Sequence, residues 1–224
     1  DIQWIEFRKP FTNDKPVVVY GGGLHKWQQV PKMIHAMQKT LDQYEFRFFC
    51  PNPYEFRKML PQDLKNSNSL SYGRKTSDEI LEEYKESRFG FILREQSIVN
   101  SVACPTKLIE YLAMGVIPII DYQEIGDFNI LGMQSIRYED FLQDRMPNEE
   151  TQKQMMKNNH QVYQTLLTIH EAGKRELVEC ISYRKPTSER GLSNFVPSIT
   201  SCDVLVQVGN FLSGGLENTV LGIN

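Results

Sequence analysis

Two stretches of the sequence contain residues that could bind a phosphorylated ligand. In the first, the glycines at positions 21–23 follow an apolar run and precede Lys26. Glycines at such a place let the backbone approach a ligand closely, and the free N–H groups of a helix start favour phosphate. A tight turn without any ligand would need the same glycines, so the triplet alone leaves both interpretations open.

The second stretch, residues 94–118, places charged side chains at the start of a predicted helix. Lys107 lies in the first turn, where a cation opposes the helix dipole by about 0.3–1 kcal/mol. A bound anion would remove this conflict, and Lys107 could then contact it. Glu110 follows one turn later on the same face, and its carboxylate suits the two hydroxyls of a sugar diol. A solvated Lys107–Glu110 pair is the alternative that the spacing leaves open.

Both stretches follow predicted strands. Short β-branched and aromatic runs predict strands at residues 16–20, 46–49, 69–72, 89–93, 116–120 and 135–138. Helical patterns separate them, so the sequence predicts a Rossmann-like three-layer α/β/α domain with a mainly parallel sheet. Ligands bind such sheets at the carboxyl ends of the strands, which is where both stretches begin.

Local signals predict where the helices begin and end. Ser77 is predicted as an N-cap. Another helix is predicted over residues 106–114, with Pro105 at its first position and Gly115 after its end. Residues 94–103 are predicted as a polar loop, and residues 149–183 as a long polar helix.

Composition excludes several classes of protein. The chain has 224 residues, 40% of them hydrophobic, and a net charge of −3, so it lacks the basic field that nucleic acid or anionic lipid would require. Its longest apolar runs are far shorter than the roughly 20 residues of a membrane span. Four scattered cysteines and four histidines show no metal-ligand spacing. We expect a cytoplasmic protein, or one held at the inner face of a membrane by parts outside this sequence.

The second stretch resembles a known family signature. PTKLIEYLAMGVIPII, at residues 105–120, is similar to the donor-binding signature in the C-terminal half of GT-B glycosyltransferases, in the large retaining group that includes mannosyl- and glucosyltransferases. VVVYGGGLHKWQQV resembles the first strand, glycine-rich loop and helix of the same half. GFILREQSIVNSVACPTK resembles the strand and loop that meet the donor in one subgroup. Together the matches cover about residues 15–140 in the expected order.

The resemblance implies roles for residues around the second helix start. Glu110 matches the glutamate that holds the nucleotide ribose. Pro105, Thr106 and Lys107 match the loop and helix start near the diphosphate. Arg94 supplies a second cation. Lys107, Arg94, Lys26 and the helix N-terminus would then stabilise the charge that develops on the leaving diphosphate, and the resemblance implies no metal cofactor.

Other implied contacts come from the first stretch and from the third strand. Gly22, Gly23 and Lys26 match the loop that approaches the phosphates and the donor sugar. Tyr72 and Gly73 lie in the stretch that flanks the base in such enzymes.

One position departs from the family pattern. The family has a second glutamate eight residues before the first, and this sequence has Val102 there. In the family that carboxylate touches the donor sugar or assists at the reacting centre. Glu95 or Asn100 is a possible substitute, and we count Glu95 among the predicted catalytic residues.

We expect the sequence to be a piece of a longer protein. Residues 1–14 would link to a missing N-terminal half-domain that supplies acceptor contacts, and residues 15–183 would form the nucleotide-sugar-binding domain. Residues 184–202 would be a linker. Residues 203–224 resemble the opening of another glycosyltransferase N-terminal half, which suggests a tandem protein, although an extra strand of this domain's own sheet is the alternative.

The predicted function is the donor-binding half of an enzyme that moves a sugar from a nucleoside diphosphate sugar to a glycan or lipid-linked acceptor. Bacterial surface polysaccharide is the usual context of the resemblance. Alone, the fragment should bind nucleotide but transfer little. The alternative is a catalytically inactive GT-B-like binding or assembly module, for which Val102 is the best support. A dehydrogenase is disfavoured because the glycines do not form GxGxxG followed by an acidic residue.

Overall fold

The computed structural model describes residues 15–122 and 125–183. Helices follow each of the first four strands in chain order, and the sixth strand follows the fifth without a helix among the described residues. The elements are β1 (Val17–Gly21), α1 (Val30–Thr40), β2 (Glu45–Phe49), α2 (Pro53–Met59), α3 (Gln62–Lys65), β3 (Leu70–Gly73), α4 (Ser77–Glu86), β4 (Phe89–Ile92), α5 (Ile98–Val102), α6 (Thr106–Met114), β5 (Ile117–Ile120), β6 (Ile136–Arg137), α7 (Tyr138–Leu142) and α8 (Glu149–Tyr183).

All described strand pairs are parallel, and the sheet order is β3-β2-β1-β4-β5-β6. The order reverses between β1 and β4, because the chain moves outward from β1 to one edge and then returns to build the other. This reversal opens a crevice at the carboxyl ends of these two strands. The predicted Rossmann-like α/β fold with a mainly parallel sheet is confirmed.

The central strands β1, β4 and β5 are buried along their whole length. Their continuous apolar sequences fit this, because parallel strands are covered by helices on both faces. Aromatic rings fill one side of the sheet, where Phe48 stacks on Phe56 at 3.7 Å between ring centroids. Tyr44, the residue before β2, packs against Phe141 of α7 at 4.8 Å between ring centroids.

A glycine in β4 allows α6 to lie close to the sheet. Gly90 is buried, and a Cβ built on it would lie 2.5 Å from Cζ of Tyr111 on α6. The Tyr111 hydroxyl donates a hydrogen bond of 3.1 Å to the Val19 carbonyl of β1. Tyr84 of α4 meets the same ring edge-on. Gly90 therefore lets one ring connect both helices to the two central strands.

Three local predictions need correction. The loop predicted at 94–103 contains helix α5, because the Ser97 hydroxyl accepts a hydrogen bond from the Asn100 N–H and caps it. Thr76, and not Ser77, is the N-cap of α4, since its hydroxyl and the Glu79 carboxylate form a reciprocal capping box. Pro105 is the N-cap residue of α6 and not its first helical residue.

The chain divides into two compact units, Asp1–Gln164 and Thr165–Asn224. The described part of the second unit is the C-terminal portion of α8, in which Lys174 pairs with Glu171 at 3.3 Å. The linker predicted at 184–202 and the unit predicted at 203–224 lie outside the described residues, as does the linker predicted at 1–14. Within the described ranges, every helix is too short or too polar to cross a bilayer.

Candidate functional site

A cleft of about 320 Å³ opens at the carboxyl ends of β1 and β4, where the strand order reverses. We call it the first cleft. The loop after β1, the helix α4 and the start of α6 supply its walls. Its lining residues are Tyr20, Gly21, Gly22, Trp27, Gln28, Ser77, Ile80, Tyr84, Phe91, Ile92, Leu93, Arg94, Pro105, Thr106, Lys107 and Glu110. Residues from both stretches singled out in the sequence thus meet in one place.

Gly22 and Lys107 come together at the base of this cleft. A Cβ at Gly22 would lie 2.5 Å from the Lys107 Nζ, so the absence of a side chain is what lets the ammonium reach this position. The ammonium sits 3.7 Å above the Tyr20 ring centroid, at cation–π distance. The Tyr20 hydroxyl donates a hydrogen bond of 2.7 Å to the Gly23 carbonyl, which fixes the ring and the loop together.

Arg94 forms another wall of the first cleft. Its guanidinium carbon lies 4.9 Å from the centroid of the Trp27 ring, and its Nη1 donates a hydrogen bond of 3.1 Å to Oδ1 of Asn100. The Asn100 amide in turn donates to the Glu95 carbonyl at 2.6 Å. The Glu95 N–H donates to the Trp27 carbonyl at 2.9 Å. This closed set of contacts holds the guanidinium in a defined place before any ligand binds.

The two cations have no ionic partner in the described part of the chain. No carboxylate there lies within 4.0 Å of either Lys107 or Arg94. The Lys107–Glu110 ion pair that the spacing left open is therefore not formed. Burial and the nearby Arg94 cation together lower the pKa of Lys107 to about 7, and Glu110 opposes the decrease. An anion in the cleft would relieve this unfavourable concentration of positive charge.

Glu110 lies in the same cleft, one turn along α6. Burial raises the pKa of its carboxyl group, and the positive charge of Lys107 opposes that rise. Glu110 makes no ion pair within the described ranges, so its carboxylate is available to accept hydrogen bonds from a ligand. The cleft therefore combines a cationic end with a carboxylate acceptor.

Sequence reasoning did not identify three of the aromatic and amide groups in this cleft as site residues. Tyr20 ends the buried strand β1, and Tyr84 has the spacing of the apolar face of α4, so both side chains have the sequence signature of core residues. Gln28 follows Trp27 in a single turn of 3₁₀ helix. Its Oε1 is buried without a hydrogen-bond partner in the described structure. Buried polar atoms normally have a partner, so this atom suits a ligand donor group.

A second cleft, also of about 320 Å³, adjoins the first and shares Ile92 and Arg94 with it. It lies at the carboxyl ends of β4, β5 and β6. Its other lining residues are Glu95, Gln96, Ser97, Asn100, Asp121, Tyr122, Ile125 and Arg137. Asp121 is held by an ion pair with Lys32.

The structure separates the remaining predicted residues from the first cleft. Glu95 lines the second cleft. Gly23 and the exposed Lys26 follow β1 but line neither cleft. Tyr72 and Gly73 end β3, the strand at the sheet edge, and Tyr72 packs edge-on against Phe56 at 5.5 Å.

Among residues 15–122 and 125–183, no group of three or more His, Cys, Asp and Glu side chains is arranged to hold a metal ion. The polar groups of the two clefts are instead cations, single carboxylates, amides and hydroxyls. Such a set suits a ligand that carries both phosphate and hydroxyl groups.

Solved structures share this fold. The C-terminal domain of a glycosyl transferase group 1 family protein (LpcC) from Francisella tularensis matches 73% of this chain and 90% of that domain, with a TM-score of 0.54 and 13% identity. A glycosyltransferase from Rickettsia africae matches 68% of this chain and 44% of its own chain, with a TM-score of 0.55 and 13% identity. WaaG, a glycosyltransferase involved in lipopolysaccharide biosynthesis, matches 69% of this chain and 44% of its own chain, with a TM-score of 0.54 and 10% identity.

At these low identities the structural likeness shows the fold alone. The chain spans less than half of the Rickettsia protein and of WaaG. No protein family model matches the sequence. No curated protein sequence matches it either.

Proposed function

We propose that this chain is the nucleotide-sugar-binding half of a glycosyltransferase, and that the first cleft holds the nucleoside diphosphate of the donor. One observation carries the proposal. Lys107 and Arg94 converge at the carboxyl ends of β1 and β4, beside the N-terminus of α6, and neither has an ionic partner among residues 15–122 and 125–183. A diphosphate supplies the charge that this arrangement lacks. The fold shared with glycosyltransferase C-terminal domains supports the proposal at the level of architecture.

The residues of this chain would act on the diphosphate by electrostatics. When the bond between sugar and phosphate breaks, negative charge accumulates on the departing diphosphate. Lys107, Arg94 and the N–H groups that open α6 lie where they would stabilise that charge. Because Trp27 and Asn100 already fix the Arg94 guanidinium, little reorganisation would be needed during the reaction.

The acceptor, the stereochemical outcome, the location in the cell and the tandem arrangement belong to the same proposal. The acceptor would be a glycan or a lipid-linked saccharide, held mainly by a partner half-domain that precedes this chain, and the enzyme would retain the stereochemistry of the donor. The structures with this fold include an enzyme of lipopolysaccharide biosynthesis, which is consistent with a bacterial polysaccharide acceptor. We propose a cytoplasmic location. A tandem arrangement would place a second such enzyme after residue 202.

A thermal-shift panel with UDP, GDP, dTDP, ADP and NAD tests the proposal. A ligand at 100 times its dissociation constant stabilises the folded state by about 2.7 kcal/mol, or roughly 5–10 °C for a domain of this size. We expect a shift with at least one nucleoside diphosphate and none with NAD. If no nucleoside diphosphate gives a shift, the proposal fails, and an inactive binding module becomes the better interpretation.

Glu110→Ala tests the orientation of the nucleotide. If the Glu110 carboxylate accepts hydrogen bonds from the ribose, its removal should weaken nucleotide binding by about 1–3 kcal/mol. Wild-type protein should also prefer UDP to 2′-deoxy-UDP, or the equivalent pair for the base found in the panel, and the variant should lose this preference. Titration calorimetry measures both effects.

Glu139→Ala is the matched control, because Glu139 is an exposed carboxylate on α7 that lines neither cleft. It should bind as the wild type does. An unchanged ribose preference in Glu110→Ala would contradict the assigned role of Glu110.

A further inference from the structure

We infer that the second cleft is the subsite for the sugar of the donor, and that Glu95 and Arg137 are the side chains that recognise its hydroxyl groups. The inference rests on the proposed function, since it places the non-nucleotide part of the same ligand. The family pattern assigns this contact to position 102, and the structure of this chain points to a different set of residues.

The position of Arg94 connects the two clefts. Arg94 and Ile92 line both of them, so the clefts are neighbours along one wall. A diphosphate bound beside Arg94 in the first cleft would direct the sugar on its second phosphate towards the other side of that wall. The second cleft has about 320 Å³ available there.

The charges in the second cleft suit a polyhydroxylated ring. In the described structure, neither the Glu95 carboxylate nor the Arg137 guanidinium has a hydrogen-bond or ion-pair partner, and the two do not pair with each other. A carboxylate accepts hydrogen bonds from hydroxyl groups, and a guanidinium donates them. Because these two groups line the same cleft without pairing, the carboxylate stays available as an acceptor and the guanidinium as a donor for the hydroxyl groups of one ligand. Asp121 contributes less, because Lys32 already pairs with it.

The contacts of Asn100 and Val102 exclude them from this role. Asn100 uses its amide oxygen on Arg94 and its amide nitrogen on the Glu95 carbonyl, so it is a positioning residue for the wall between the clefts. Val102 is 74% exposed at the end of α5 and lines neither cleft. Of the two substitutes considered for the missing glutamate, only Glu95 carries a carboxylate, and that carboxylate has no partner in the described part of the chain. The Glu95 backbone is held at both its N–H and its carbonyl.

Calorimetric titration with three matched ligand pairs tests the inference: UDP with UDP-glucose, GDP with GDP-mannose, and ADP with ADP-glucose. For the pair whose base the first cleft accepts, Arg137→Gln and Glu95→Ala should each lower the affinity for the sugar nucleotide about tenfold. The affinity for the nucleoside diphosphate alone should stay within about twofold, because neither residue lines the first cleft. Both side chains are exposed, so folding should be unaffected, as thermal midpoints would verify.

Arg57→Gln is the matched control, since Arg57 is an exposed arginine on α2 outside both clefts. If the nucleoside diphosphate binds but the two variants leave the affinity for its sugar nucleotide unchanged, the inference is overturned and the proposed function stands. The same conclusion follows if the variants weaken both ligands equally. If no nucleoside diphosphate binds to the wild type, the proposed function fails and the inference fails with it.

Discussion

Lys107→Met should reduce the affinity for a nucleoside diphosphate roughly 30-fold or more, because removing a charged group that pairs with a ligand in a desolvated site costs about 2–5 kcal/mol. Lys107 lies over the Tyr20 ring and in the first turn of α6, where it would contact a bound diphosphate. Methionine preserves the length of the side chain and removes only the charge. Titration calorimetry at pH 7 measures the loss, and Lys39→Met, on an exposed lysine of α1, serves as the control.

The same substitution should stabilise the ligand-free protein at low pH. The Lys107 pKa falls from its usual value of 10.5 to about 7 in the folded state. Between these values the unfolded chain binds more protons, so the wild type gains stability as the pH rises through this window. Below pH 7 both states are protonated, and the destabilising effect of the buried charge is complete. The advantage of Lys107→Met should therefore be largest near pH 6 and should diminish towards pH 10.5.

Urea unfolding midpoints of both proteins at pH 6, 7.5 and 9 measure this difference. A constant difference between wild type and variant across the three pH values would show that Lys107 does not titrate in this window. Ligand affinity provides an independent check, because a bound diphosphate should raise the Lys107 pKa. Above pH 7 the wild-type affinity should fall by up to about tenfold per pH unit, and that of Lys107→Met should not.

Gly90→Ala should destabilise the fold by about 3 kcal/mol, at the upper end of the usual cost of overpacking. The added Cβ would overlap the Tyr111 ring, which cannot move aside easily. That ring is fully buried, it is tied to Val19 through its hydroxyl, and Tyr84 packs against it. Urea unfolding measures the loss.

Gly73→Ala is the matched control, because Gly73 also lies in a strand but a Cβ there would meet nothing within 4 Å. It should change stability little. Tyr111→Leu should relieve the overlap, so the double variant should be more stable than the sum of the two single changes predicts. Equal stabilities of Gly90→Ala and Gly73→Ala would contradict the proposed contact.

The alternation of strands and helices, and the bounds of α6, could be predicted from sequence because they depend on local pattern. Strand order depends on contacts between distant segments. It places Tyr72 and Gly73 at the sheet edge, two strands away from β1, although the resemblance implied a role for both near the ligand.

The set of residues that line the clefts also depends in part on contacts between distant segments. Gly22, Lys107 and Glu110 were identified from local motifs, and the structure brings them together. Arg137 follows Lys107 by thirty positions in a segment without any motif, and only the pairing of β5 with β6 brings it to the second cleft. When only the pairing of distant strands brings a side chain to a site, no pattern in its neighbouring sequence identifies it.

Because one guanidinium lines both clefts, their occupants are thermodynamically coupled. A group that draws Arg94 towards the first cleft withdraws its N–H donors from the second, and the reverse holds with the same factor. The Asn100 contact sets how far the guanidinium can be drawn to either side. Changes at Asn100 would therefore alter how strongly occupancy of one cleft affects binding in the other.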